Sequence, residues 1–530
     1  MTLDILSDDI LEIILSYVLP ATKSLKEWIT QMAPLSVNRR LRRLALPHAY
    51  RYAYITAFSD TQYNPVTASN ATIIHTNIDM AAATGNLHWV RRVSIDMNYY
   101  HSTLSGLENV LAVFNRHSGL WDKTVELVAS VGYDMPLFGF PNVDGRAATK
   151  AMTVAAKELV RALPSVSSVH FDYMSRNAVS TAFYSELLQG YAGQLRKCKC
   201  PIPRALSAGL AYTQLVDLDT SLDTEQRSCF PRVCPQTIQR LRVWMLPVSC
   251  TWYILGKDVP PAEMELPALT ALSVSYSISD PYAQEVDFEA LKQCKLRLPR
   301  LRYLSVGGPG NQLPLLHSAV LPERMNNIEI TAAPAAILGM GKVVLPKTKK
   351  LMIRIQKQMS DNAEYPGLFA AVGRLFECAD KDAQARLGVF GGIAIEPGAI
   401  RCPGLTVLFN MSPIRVDTLL RILGDHPRLK SLNTTLSADT DSQHIDLDVG
   451  IQDGLPIQPL NTALTALKLC EDNNQGPAWL FIQVIKYLVI RLPALQRLTA
   501  SYSMRPVFEQ FVAEHSAQFP HLSGIQFSHG

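Results

Sequence analysis

The sequence predicts an α/β chain: a small helical domain over residues 1–57, a linker at 58–85 and a long repeat solenoid over 86–530. Three observations predict it. Two amphipathic helical stretches open the chain. A short strand-like element behind a Leu-Pro turn then recurs to the C-terminus. Helical text separates its copies.

The totals agree with a folded chain. Of 530 residues, 48% are hydrophobic and 18% charged, which is globular rather than disordered composition. A net charge of +4 gives no global reason to expect nucleic acid as a partner. Nine cysteines, an odd number at irregular spacing, point to a reduced interior. No apolar run approaches the roughly 18–20 residues of a membrane span. Asp4, Asp8, Asp9 and Glu12 stand where a secretory signal needs positive charge. The expectation is a protein of the cytoplasm or nucleus with no membrane partner.

The first helix is "LSDDILEIILSYV", Leu6 to Val18. Ser7 is placed to cap it, and Asp8 and Asp9 suit its positive N-terminal end. Ile10, Ile13, Ile14 and Tyr17 form one apolar face, expected to serve the domain's own core. Leu11, Leu15 and Val18 form a second stripe about 100° around. The second stripe is covered either by the rest of the chain or by a partner. The next stretch, "PLSVNRRLRRLALPHAYR" from Pro34 to Arg51, alternates an apolar face with Arg39, Arg40, Arg42 and Arg43, and then breaks at Pro47.

Together these two stretches resemble an F-box. Leu6, Asp9, Ile10, Ile14, Leu15, Tyr17, Val37, Arg39, Leu41, Leu44, Ala45, Tyr50 and Arg51 fall in matching places. Ser7 replaces the family's Pro, Asp9 its Glu, Asn38 its Cys and Leu41 its Trp or Phe. The resemblance implies a Skp1-like adaptor of a cullin-type ubiquitin ligase as partner, docking on Leu6, Ser7, Leu11, Leu15 and Val18.

The repeat element reads Pro-x-Leu-x-x-Leu-x-(Val/Leu). "LPALTALSV" at Leu266 returns as "LPRLRYLSV" at Leu298, "CPGLTVLFN" at Cys402, "HPRLKSLNT" at His426, "NTALTALKL" at Asn461, "LPALQRLTA" at Leu492 and "FPHLSGIQF" at Phe519. Weaker copies begin at Asn86, Leu163, Cys234, Arg324 and Thr348. Pro ends the preceding helix and fixes the chain entering the strand. Within the strand, Leu272 and Val274 point one way and Ala271, Ser273 and Ser275 the other. Such units bury their apolar faces only by stacking. The element resembles leucine-rich repeats of the long, irregular, helix-bearing kind found behind F-boxes in fungi. An ordinary α/β domain with Leu-rich strands is the alternative. Residues 436–460, polar and acidic, read as a loop inserted in a repeat.

No set of residues carries catalysis. "ILGMGK" lacks the first Gly and the Ser/Thr of a phosphate loop. Cys198, Cys200, Cys229 and Cys234 match no common zinc spacing, and Asp439, Asp441, Asp446 and Asp448 lack the Gly and Glu of a calcium loop. The expectation is no enzyme activity, no metal and no cofactor.

Function is sought instead on the outward strand positions, which the repeat resemblance places on a concave face. By alternation these are Arg92, His170, Arg240, Arg242, Trp244, Tyr303, Glu329, Arg354, Lys468 and Arg497. Arg240, Arg242, Trp244, Tyr303, Arg354 and Arg497 are the expected client contacts, since Arg, Trp and Tyr are enriched at binding hot spots. Arg240, Arg242 and Trp244 in "IQRLRVW" read as one anion-and-aromatic site. Two functions are compatible with this pattern. One is a ligase adaptor holding a protein client on the repeats. The other is a scaffold with a degenerate F-box that recruits no ligase.

Overall fold

In the computed structural model the described residues are 6–18, 39–59, 72–97, 103–131, 145–171, 178–200, 212–221, 234, 236–246, 262–276, 295–308, 313–357, 364–391, 393, 395, 400, 402, 404–437, 458–471, 478–501 and 504–529. They form a mixed α/β structure whose main strands run parallel. The chain divides into two compact units: Met1–Leu246 with Cys250–Val259, and Pro247–Ser249 with Pro260–Gly530. Residues of the expected 86–530 repeat body contribute to both units.

The first unit opens with helices α1 (Asp8–Val18) and α2 (Arg39–Ala49). There follow β1 (Tyr52–Ser59), β2 (Thr72–Thr76), α3 (Ile78–Ala83), β3 (Arg92–Met97), α4 (Thr103–Arg116) and β4 (Glu126–Val131). The unit continues with α5 (Gly145–Ala162), β5 (Ser168–Phe171), α6 (Ala178–Tyr191), β6 (Lys197–Cys200), β7 (Asp217–Ser221) and β8 (Arg240–Leu246). From β1, strands β3 to β8 add in order, all parallel. One apolar row crosses them: Ala53, Val93, Leu127, Val169, Cys198, Leu218 and Leu241 face one another in register, and all are buried. Cys198 occupies an aliphatic position in that row, and burial pushes its thiol pKa up. Cys200, on the same strand, is also buried, and Cys229 lies outside the described residues.

The linker expected at 58–85 contains structure. β2 pairs antiparallel with β1, and Asn77, Ile78 and Ala81 are buried. β2 covers β1 only from Ile55 onward, which leaves Tyr52 and Tyr54 with an unpaired backbone edge. Asn77 closes it: its Oδ1 accepts from the Tyr54 N–H at 3.0 Å and its Nδ2 donates to the Tyr52 carbonyl at 2.9 Å. The boundary expected at 57 therefore falls inside a strand, and the opening helices belong to the same unit as the first repeats.

The second unit carries β9 (Glu263–Glu265), β10 (Ala271–Tyr276), β11 (Lys295–Arg297), β12 (Tyr303–Gly308), α7 (Pro314–Ser318), β13 (Ala319–Val320) and β14 (Arg324–Ala332). Next come α8 (Pro334–Gly339), β15 (Lys347–Gln356), α9 (Leu368–Phe376), β16 (Ala379–Phe390), β17 (Leu405–Ile414) and α10 (Val416–Asp425). It ends with β18 (Ser431–Leu436), β19 (Ala466–Glu471), α11 (Ala478–Arg491), β20 (Arg497–Ala500), α12 (Arg505–His515) and β21 (Gln526–His529). The apolar row here reads Val274, Val306, Ile330, Ile353, Leu387, Leu408, Leu432, Leu467, Leu498 and Phe527 across ten parallel strands.

The Leu-Pro element does more than start a strand. β9, β11 and β13 form a small parallel sheet of their own, each just before a Leu-Pro. Leu266 and Leu298 donate their N–H groups to the Arg297 and Val320 carbonyls, and both side chains are fully buried. Leu-Pro is thus the corner by which the chain passes from one sheet to the other. The loop expected at 436–460 lies mostly outside the described residues.

Candidate partner-docking surfaces

The first surface is built by α1 and α2. Ser7 caps α1, its Oγ accepting from the Ile10 N–H at 3.4 Å. Asp8 then binds α2: its Oδ1 accepts from Arg40 Nε at 2.7 Å and its Oδ2 from Arg43 Nη2 at 2.7 Å. Arg40 also donates to the Leu6 carbonyl at 2.6 Å. The Arg40 hydrogen bond, with the charge of both arginines, holds the Asp8 carboxyl below its ordinary range. Glu12 and His48 approach at 3.9 Å one turn further along, where burial lowers the imidazole pKa and Glu12 opposes the shift.

The stripe of α1 that lies inside is the one on the clasped side, the reverse of the expected assignment. Asp8, Leu11 and Leu15 share one face by helical spacing. With Asp8 clasped by α2, Leu11 and Leu15 are buried, at 2% and 7% exposure, while Leu41, Ala45 and Ala49 of α2 are buried too. Ile10, Ile13, Ile14 and Tyr17 stand in solvent at 47%, 58%, 38% and 82%. Leu11 and Leu15 are therefore not docking residues. Leu6 is half-buried, with its carbonyl already bound, and Ser7 is exposed but serves as the cap. The Val18 side chain lies outside the described residues. Pro47 does not break α2, which runs on to Ala49.

The second surface is the outward face of the strands. All ten positions expected to point outward do so, none of them buried. In the first unit they form ladders of alternating sign. Register places Arg92 beside Glu126, Asp217 beside Arg240 and Asp219 beside Arg242. Arg92 and Glu126 pair at 3.5 Å, Arg240 and Asp217 at 2.5 Å, Arg242 and Asp219 at 3.2 Å. Trp244, 49% exposed, donates its indole Nε1–H to Asp219 at 3.3 Å. The anion site expected at Arg240, Arg242 and Trp244 is thus already occupied by carboxylates of the neighbouring strand. It presents a neutralised, mixed-charge surface.

In the second unit, Tyr303, Arg354 and Arg497 do not converge. Tyr303 donates its hydroxyl to Glu329 at 3.2 Å on the adjoining strand. Arg354 and Arg497 lie on β15 and β20, five strand steps or roughly 24 Å apart at the usual strand spacing.

No protein-family model matches the chain, and no curated protein matches it in sequence. A solved structure, the crystal structure of the Rad7 and Elc1 complex in yeast, is similar at 11% identity with a TM-score of 0.28. The likeness covers 91% of this chain and 94% of that one.

Two neighbours of Arg354 were missed in the sequence. Lys350 and Arg386 are exposed on the same outward face, and neither they nor Arg354 has an ion-pair partner among the described residues. The signal for Lys350 was the alternation in "TKKLMIRI". Arg386 sits in "DAQARLGVF", a strand without the Leu-Pro element.

Proposed function

We propose that the chain is a docking adaptor: the substrate-recognition subunit of a Skp1/cullin-type ubiquitin ligase, which holds a protein client on the outward strand rows. The observation that carries this reading is the solvent-facing row Ile10, Ile13, Ile14 and Tyr17 on a helix whose other side holds Leu11 and Leu15 inside and Asp8 paired with Arg40 and Arg43. Four large apolar side chains on one short helix are costly to leave wet. Burying a fully exposed side chain of this size contributes about 1.5–3 kcal/mol, so together the four offset a substantial part of the cost of association. The F-box-like residue pattern, followed by repeats, supports a Skp1-like protein as the occupant. The reading assigns the chain neither catalysis nor a cofactor.

A second reading has its own observation. Leu41, standing where the family has Trp or Phe, is buried between the helices and offers no aromatic anchor to a partner. On that reading the chain is an interaction scaffold that recruits no ligase. Co-expression with a Skp1-like protein and a cullin separates the two. An adaptor co-elutes with both on gel filtration; a scaffold elutes with neither.

A further inference from the structure

We infer that β15 and β16 of the second unit form the client site, and that its ligand is an extended acidic peptide segment carrying an apolar side chain beyond its acidic residues. This rests on the adaptor reading and names the client chemistry it requires.

The cations have a spacing that suits such a ligand. On β15, Lys350 and Arg354 face outward with Met352 between them. On β16, Arg386 is in register with Met352. Along the strand axis the order is therefore Lys350, Arg386, Arg354, each two residues beyond the last. Two residues of extended chain span about 6.6 Å, the distance between side chains i and i+2 of a second extended peptide. Carboxylates at i, i+2 and i+4 match the three cations in sequence.

The charges are also available. The arginines of the first unit's ladder are bound by Asp217 and Asp219. Lys350, Arg354 and Arg386 have no such neighbour among the described residues. The nearest acid in register is Glu329, opposite Met352, and it accepts from Tyr303 and Asn327.

An aromatic shelf closes one end. Gly388 is in register with Arg354 on one side and Phe409 on the other. A Cβ on Gly388 would lie 2.8 Å from Phe390 Cε2 and 3.5 Å from Arg354 Cγ, so the glycine makes room for the Phe390 ring beside the Arg354 stem. Phe390 and Phe409 meet at 5.1 Å between centroids, and both are half-exposed. An apolar side chain at i+6 of the peptide falls on this pair. Nucleic acid suits the face less well: the cations form a single short row, with Glu329 beside it.

The test uses the full chain and fluorescein-labelled heptapeptides Glu-Ser-Glu-Ser-Glu-Ser-Phe and its reverse, with the Lys-for-Glu peptide and a short single-stranded RNA as comparisons. Fluorescence anisotropy should show binding of an acidic peptide that weakens with salt. Arg354→Glu with Arg386→Glu should weaken it by about tenfold or more, and Arg300→Glu, at the exposed Leu-Pro corner before β12, should leave it unchanged. If the charge reversals lower the melting temperature, Arg354→Gln with Arg386→Gln should give the same loss in a folded chain. No binding of either acidic peptide, affinity indifferent to these variants, or RNA bound as tightly as peptide would each overturn the proposal. Capture of a Skp1-like protein is measured on the same samples: intact capture without peptide binding rejects this site alone, and lost capture rejects the adaptor reading.

Discussion

The carboxylate of Asp8 accepts a 2.7 Å hydrogen bond from Arg40 Nε on the side of α1 where Leu11 and Leu15 are buried. Because the folded Asp8 pKa lies below its ordinary 3.8, the stabilisation it supplies is present above that value and lost as pH falls through the lowered one. The pair is exposed, so salt should weaken it as well. Amide exchange of α1 should therefore speed up on acidification, in high salt and in Asp8→Asn, while β3 to β8 stay protected. Unchanged α1 protection in Asp8→Asn would mean that leucine packing alone sets the helix rotation.

Asn461 is 2% exposed and satisfies four backbone groups. Its Nδ2 donates to the Leu423 and His426 carbonyls, and its Oδ1 accepts from the Ala463 and Leu464 N–H groups. Asn461→Ala strands all four, and chemical denaturation should show a loss of about 3 kcal/mol. A loss within about 0.5 kcal/mol, the range of ordinary surface changes, would show that the turn rearranges without the amide.

His426 is buried, with its Nδ1–H on the Cys402 carbonyl at 3.0 Å. Burial lowers its pKa, opposed by that hydrogen bond and by Asp425. The folded state thus favours the neutral ring. Its contribution is complete above the ordinary 6.5 and is lost as pH falls from there toward the lowered folded value. The melting temperature should decline over that interval, and less steeply in His426→Gln, which keeps a donor for Cys402. Identical slopes in the two proteins would rule His426 out as the titrating group.

Gly391 sits at φ +85°, and a Cβ there would lie 2.3 Å from the Lys357 carbonyl oxygen. Gly119, at φ +82°, has open space around it. Gly391→Ala should cost about 1–3 kcal/mol more than Gly119→Ala, because backbone collision is added to the left-handed strain. Equal losses would show that the β16 turn yields freely.

The repeats were legible because their physics is local. A Pro before Leu-x-x-Leu both ends a helix and starts alternation, so β10, β12, β18 and β20 stand where the element places them, with Leu272, Leu304, Leu432 and Leu498 buried. β4, β6, β7 and β16 carry no Leu-Pro and were not recognised. β9, β11 and β13 are too short to show alternation. The faces of α1 were not legible from α1 alone, since both its stripes are apolar. What distinguishes them is the packing against α2, more than thirty residues away in sequence, where Asp8 also finds its arginines. Likewise the outward arginines were visible as residues, but their availability depends on the neighbouring strand. Asp217 and Asp219 stand beside Arg240 and Arg242, whereas Met352 and Gly388 stand beside Arg386 and Arg354.

The proposed binding of a Skp1-like protein to the exposed face of α1 is measured by isothermal titration of that protein into the full chain. A one-to-one complex of about micromolar affinity or tighter, worth about 8 kcal/mol, is expected. Ile13→Asp with Tyr17→Asp should abolish it by forcing unpaired carboxylates into the interface, with the melting temperature unchanged because both side chains already stand in water. Absence of binding by the wild-type chain, or binding that the double variant leaves intact, would contradict it.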